Sequence, residues 1–298
     1  MKKLYLSLTI GITMCLTIKA QTSISIAEVS HNMSKGAENA FVVMVPQYKA
    51  TDLKKEWENY LNDNGKVDIK ENNGEISALN AKIDKVLMGN INHYALFDET
   101  IDGPKLVAFF SINDTFISTA NNSVVAGSIG KFMMDFAKSS YIKIVQEELK
   151  AEQEKLKSLN DEQSDLEKKE NKSRQNIVDS HNKIEKGNNN IVINKAEQDK
   201  KQKELELQQQ KMTNVVLNND EKKLQDKQVN NLQDDKKDLI KKEGKMRRDM
   251  EDNNNNINVE QNKIPSLETQ QEMQKDKIQK QQEVIQKVQA KLDDIKKM

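Results

Sequence analysis

The chain has 298 residues with 47 Lys/Arg against 47 Asp/Glu; charged residues make up 32% of it and aromatic residues 4%. That neutral balance speaks against nucleic acid as a partner, which asks for a basic excess, and against a membrane-surface helix, which asks for a basic face opposite a large apolar one. The one cysteine, Cys15, lies in an N-terminal segment expected to be removed, so disulfide and thiol chemistry are excluded from the mature chain.

Residues 1–20, MKKLYLSLTIGITMCLTIKA, have a basic start, an apolar run and a small residue before Gln21. This is the pattern of a secretory signal peptide. The alternative is an uncleaved anchor, but the run over roughly residues 4–18 falls short of the ~20 residues that span a bilayer. Ile18 leaves the exact cut open, and Ile12–Met14 lack the small residue of a lipoprotein signal. No stable membrane insertion is expected after cleavage. The protein is expected in the periplasm, in the cell envelope or outside the cell.

Composition changes near residue 140. Tyr141 is the last aromatic residue, and beyond it the chain is Lys, Glu, Gln, Asp and Asn with spaced Leu, Ile, Val and Met. A compact core uses aromatic bulk, whereas a two-helix seam does not. Residues 21–140 hold 11 Lys/Arg against 15 Asp/Glu, a balance of about −4.

In chain order, residues 23–29 (SISIAEV) alternate and 40–45 (AFVVMV) form a buried-type run before Pro46, so both predict strands. Thr51 predicts the N-cap of a helix whose stripe is Leu53, Trp57, Tyr60 and Leu61, closed by Gly65. KVDIK and EISALNAKI flank an ENNGE turn, and HYALFDE and KLVAFFSI flank IDGP, which predicts two hairpins. The expectation is an α+β head over 21–120 with an antiparallel sheet and one main helix. A helical connector over 121–140 then docks through Val125, Phe132, Met133 and Phe136.

The tail keeps a seven-residue phase. Counting Leu156 as heptad position a, that position recurs from Ile142 to Met212, and position d recurs from Val145 to Val215. This is a coiled-coil pattern. The stretch LEKKENKSRQNIVDSHNKI (166–184) also returns 73 positions later as LIKKEGKMRRDMEDNNNNI (239–257), matching at Leu166/Leu239, Glu170/Glu243, Arg174/Arg247, Asp179/Asp252 and Ile184/Ile257. Seventy-three is not a multiple of seven, so the phase breaks once, at LNNDE (217–221), whose residues favour turns and caps.

The predicted architecture is a first coiled-coil helix at 141–217, a turn at 218–221 and a second helix at 222–298, folded as an antiparallel hairpin. Facing residues then sum to about 437. Gly187 meets Met250, Leu149 meets Val288, and Lys201 meets Lys236 unless both turn outward. Two alternatives stay open: a four-helix bundle bent at Gly187–Asn190 and Asn253–Asn256, and pairing between molecules. A kink is expected near Pro265.

No reactive constellation is legible, so no catalytic, cofactor-binding or metal residue is assigned and no cofactor is expected. His31, His93 and His181 share no metal-ligand spacing. His181 falls on the outer side of the first long helix, and His93 opens a strand as a structural residue. GSIGK (127–131) lacks the first glycine and the Ser/Thr of a phosphate loop. Glu56, Glu58 and Asp63 sit on the polar face of the Trp57 helix.

The signal ending Ala20-Gln21, the helix LKKEWENYL (Leu53–Leu61) and the Lys/Glu-rich coil over 142–298 together resemble a group of uncharacterised exported Bacteroidota-type proteins with a small head and a C-terminal coiled coil. The resemblance implies a compartment and no catalytic residues. The expectation is a non-enzymatic exported interaction protein with an unidentified protein partner, and self-association through the coil. The alternative is a ligand-binding or enzymatic head whose site no motif reveals.

Overall fold

A computed structural model describes residues 24–214 and 218–298. The expected signal peptide lies outside the described residues, as do residues 215–217 at the end of the expected first coiled-coil helix. Seven strands form one sheet. β1 (Ile26–Met33) and β2 (Gly36–Met44) precede helix α1 (Ala50–Asn64). Then follow β3 (Ile69–Asn72), β4 (Glu75–Lys82), β5 (Asn90–Asp98), β6 (Lys105–Ile112) and β7 (Thr115–Phe116). The order across the sheet is β1-β2-β6-β5-β4-β3, with β7 on β6, and every pairing is antiparallel.

Both expected hairpins are present, and the two expected strands join in a third, β1–β2. Its turn closes at Gly36, whose φ of 107° disfavours any side chain. The β3–β4 turn uses Asn73-Gly74 at φ 51° and 82°, the paired left-handed residues that match strand twist. β7 is a two-residue strand that the sequence pattern does not announce. It is made by the equivalent Asn113-Asp114 turn, at φ 49° and 63°.

Alternation sends Phe41, Val43, Leu106, Ala108 and Phe110 to one face of the sheet. α1 covers that face with Leu53, Trp57 and Leu61. The first turns of α2 (Ser123–Asn214) add Ile129, Phe132, Met133 and Phe136. The Trp57 ring meets Phe132 and Phe136 edge-on at 5.7 and 4.7 Å between centroids. Burying each such side chain contributes about 1.5–3 kcal/mol. A smaller cluster of Ala40, Tyr94, Val107, Phe109 and Phe116 occupies the other face.

Both ends of α1 are set from a distance. The helix begins at Ala50, one residue before the expected cap Thr51, and Lys49 at the cap position makes no side-chain bond. Instead the Ala50 N–H donates to Glu99 Oε2 at 2.9 Å, so a carboxylate from the β5–β6 connection satisfies it. At the other end Gly65 is extended, at φ −161°, a conformation open to any residue. It is held to glycine by space: a Cβ there would stand 2.6 Å from the Lys82 carbonyl oxygen.

α2 runs unbroken for 92 residues, and α3 (Asn219–Lys297) for 79. The connector expected at 121–140 and the helix expected from 141 are therefore one element. Neither glycine nor proline falls between Phe136 and Val145 to stop it. Asn122 Oδ1 accepts from the Val125 N–H at its start. α3 begins three residues before the expected 222 because Asn218 and Glu221 form a capping box: Asn218 Oδ1 accepts from the Glu221 N–H, and the Glu221 carboxylate accepts from the Asn218 N–H, both at 2.9 Å.

Helix continues through Gly187–Asn190, Asn253–Asn256 and Pro265, so the bends a four-helix bundle requires are not made. α2 and α3 pack against each other as an antiparallel pair. The chain divides into two compact units. One holds the sheet, α1, α2 through Glu152 and α3 from Val284; there Val145, Val288, Leu292 and Ile295 join the core beneath the sheet. The other is the two-helix stretch Gln153–Glu283.

Replacing Gly65→Ala is expected to destabilise the head by about 1–3 kcal/mol, the range for inserting a methyl into a filled site. Thermal unfolding followed by the fluorescence of Trp57, the single tryptophan, measures it. An unchanged midpoint would mean that β4 yields without strain.

Candidate interaction surface

In the head the most perturbed titratable group is His93. It is fully buried in β5. Trp57 Nε1–H donates to its Nε2 at 3.0 Å, and its Nδ1–H donates to the Phe109 carbonyl at 3.2 Å. An indole can only donate, so Nε2 must be the unprotonated nitrogen and the ring is neutral. Burial pushes its pKa down to about 3, partly opposed by the Phe109 carbonyl. With both nitrogens engaged and no open surface, His93 acts as the polar tie between α1 and the sheet. His31 stands apart, with Nε2 3.3 Å from Asp98 Oδ2 at a partly exposed site, and His181 is exposed on α2.

GSIGK lies inside α2, where its backbone N–H groups belong to helix rather than to an anion-binding loop. Among the described residues no group of three or more His, Cys, Asp or Glu could hold a metal ion, and no helix is long and apolar enough to cross a membrane.

The seam of the two-helix unit is unusually polar. Ile191, Leu205 and Ile257 are buried there, but so are Ser173, Ser180, Asn194, Gln271 and Gln274. Gly187 faces Met250 as the register requires; a Cβ on it would lie 2.9 Å from Met250 Cγ. Lys201 and Lys236 both turn outward, Lys201 to Asp235 at 3.1 Å and Lys236 to Gln202.

Two matching networks pin the register. Gln271 Nε2 donates to Glu170 Oε2 at 2.7 Å, and Glu170 pairs with Arg174 one turn on. Gln198 Nε2 donates to Glu243 Oε2 at 2.9 Å, and Glu243 pairs with Arg247. In each case the arginine first, then the glutamine, holds the carboxyl below the ordinary range. Polar groups inside a coiled-coil seam fix register at some expense in stability.

One side of this unit carries surface grooves. The first has Glu162, Asp165, Leu166 and Lys169 on α2 and Gln270, Met273, Gln274 and Lys277 on α3. A second has Asn190, Ile193, Asn194 and Glu197 on α2 and Lys242, Lys245, Met246 and Asp249 on α3. Both draw on the g, c and d heptad positions of each helix. Leu166 and Asn194 on their floors are both at d and four whole heptads apart, so the grooves open on the same side of the coil. The exposed Met273 and Ile193 lie on this side.

Asn194 is only 2% exposed, and its Oδ1 accepts from Gln198 at 2.6 Å, which orients the amide. Its Nδ2 has no hydrogen-bond partner. Sequence reasoning assigned no site residue here, because g and c positions read simply as solvated.

No family model, curated protein or solved structure matches this chain.

Two outcomes follow from these contacts. A histidine with a lowered folded-state pKa leaves stability intact above its unfolded pKa. Stability then falls with pH between about 6.5 and about 3, by roughly 1.4 kcal/mol per unit at most. Trp57 fluorescence should report this slope, and His93→Gln should flatten it; an equal slope in the variant would remove His93 as its source. In the coil, Gly187→Leu should lower the helical melting midpoint by circular dichroism, through about 1–3 kcal/mol of overpacking on Met250. Adding Met250→Ala should recover most of the loss, and no recovery would mean the two do not share the layer.

Proposed function

We propose that this is a non-enzymatic, exported structural or interaction protein, with the paired helices as a spacer or assembly element and the head as a recognition module. The observation that carries the reading is the single, unbroken register of α2 against α3, which occupies more than half of the chain. Maintaining one register through buried Ser, Asn and Gln has a stability penalty that a simple packing function would not require.

The 73-residue recurrence supports an internal duplication in which the second copy provides the helix that the first pairs with. Glu170–Gln271 and Glu243–Gln198 are each other's counterparts under that shift. Export is supported by residues 1–20.

The test is fractionation followed by affinity capture. The chain is expected in the exported fraction with a new N-terminus near Gln21, and the whole chain as bait should capture a defined protein. A partner of the head should be lost from a His93→Asp bait, which unfolds the head; a partner of the coil should be kept. A cytosolic chain with its leader intact would overturn the export half. Turnover by the purified protein, abolished by a single head substitution, would overturn the non-enzymatic half.

A further inference from the structure

We infer that the far half of the β1–β2 hairpin, Val29–Ala40, is a strap latched by charge across the second face of the sheet, and that lifting it uncovers an aromatic surface. The register shows where the strap begins. β2 pairs with β6 only from Phe41 to Met44. Ser111 pairs with Asn92 of β5 and also with Phe116 of β7, so β7 takes the edge of β6 that β2 has left. β1 and β2 stay paired to each other as far as Met33 and Gly36. The hairpin therefore continues past the point where the sheet edge holds it.

Its tip lies over the far strands. The Ser34 N–H and hydroxyl both donate to the Glu75 carboxylate of β4, at 2.9 and 2.6 Å, although β6 and β5 stand between β2 and β4. Lys35 Nζ is 3.2 Å from Asp114 Oδ1 and 5.0 Å from the centre of the Tyr94 ring. His31 Nε2 is 3.3 Å from Asp98 Oδ2, and its ring centre is 6.3 Å from that of Phe109. Met33 packs on the cluster that Tyr94, Val107, Phe109 and Phe116 form. The root is fixed separately: Asn39 Nδ2 donates to the Ile117 carbonyl at 2.8 Å, and the Glu28 carboxylate accepts from the Thr119 N–H at 3.0 Å.

The two sides of this contact are unequal. The sheet offers Tyr94, Leu96, Val107, Phe109 and Phe116. The strap brings one large apolar side chain to them, Met33, while Val29 stays exposed. The rest of its hold is on three carboxylates of the body, Glu75, Asp98 and Asp114, at contacts open to solvent. An exposed pair of this kind shifts an equilibrium by at most about fivefold, and salt screens it. A two-stranded hairpin with no sheet to lie on is marginal in water, so a lifted strap frays. The main core lies on the opposite face and does not depend on it. Opening is thus local rather than global. What it uncovers is a contiguous apolar patch, the kind of surface that marks a contact site.

The experiment uses the chain from Gln21, which has no cysteine. Val107→Cys places a thiol under the strap, and Ala95→Cys places one in the main core on the opposite face. Each variant is labelled with a thiol reagent once circular dichroism has confirmed its fold. The thiol at 107 is expected to label at least about 10-fold faster than the thiol at 95, and faster again in high salt. The latch is removed by Glu75→Gln, Asp98→Asn and Asp114→Asn, which keep the shape of each side chain; asparagine also tolerates the φ of 63° at position 114. Together they should speed labelling at 107 on the order of 10- to 100-fold and leave position 95 unchanged. Equal labelling of the two thiols, or a rate at 107 that ignores salt or the three substitutions, would overturn the strap. If a cysteine variant does not fold, amide exchange in the cysteine-free chain decides: residues 29–40 should exchange ahead of β5 and β6, and exchange in step with them would overturn it.

Discussion

Everything distinctive in this protein depends on the pairing of α2 with α3 in one register. Apolar burial alone would not select it. Ile191, Leu205 and Ile257 are well buried, but they are separated by turns whose inner positions carry Ser, Gly, Asn or Gln. A seam this thin would slide by a heptad at small penalty if it were uniform. The polar layers remove that freedom, because a slip would strand Gln271 away from Glu170 and Gln198 away from Glu243. Gly187 against Met250 does the same by shape.

The head solves a different problem. It has the aromatic bulk that the coil lacks, and it uses that bulk on one face of a twisted antiparallel sheet. Trp57 is the centre of this arrangement: its ring packs on Phe132 and Phe136 while its one donor is spent on His93. Tyr60 and Tyr48 extend the pattern, each donating its hydroxyl to a carbonyl of α2, and burial pushes both hydroxyls up to about 12. Polar atoms in this core bridge elements rather than face a cavity, so the chemistry present is used to hold the fold.

The parts of this fold that were legible in the sequence are those governed by period. Alternation marked the strands, the Leu53–Trp57–Leu61 stripe marked α1, and the heptad count placed Ser173, Ser180 and Asn194 inside the seam despite their polarity. The parts that were not legible depend on distant partners. Glu99 capping α1 is invisible to a rule that looks for a local Ser, Thr, Asp or Asn, and the clearance between Gly65 and Lys82 belongs to the fold rather than the segment. β7 is too short for any periodic signal. The grooves escaped for another reason: a heptad count classes g and c positions as outward and stops.

Val288, Leu292 and Ile295 sit in the same core as Val145 and the strands of the head. The core beneath the sheet is therefore completed by a segment that arrives after some 140 intervening residues. Closing so long a loop would be slow for a floppy chain, since non-local contacts must wait for loop entropy to be overcome. Pairing of α2 with α3 shortens that loop: with the two helices in one register, Val288, Leu292 and Ile295 are held against the Val145 turn they must meet, so the entropy of closing the core is opposed along the coil as well as within the head.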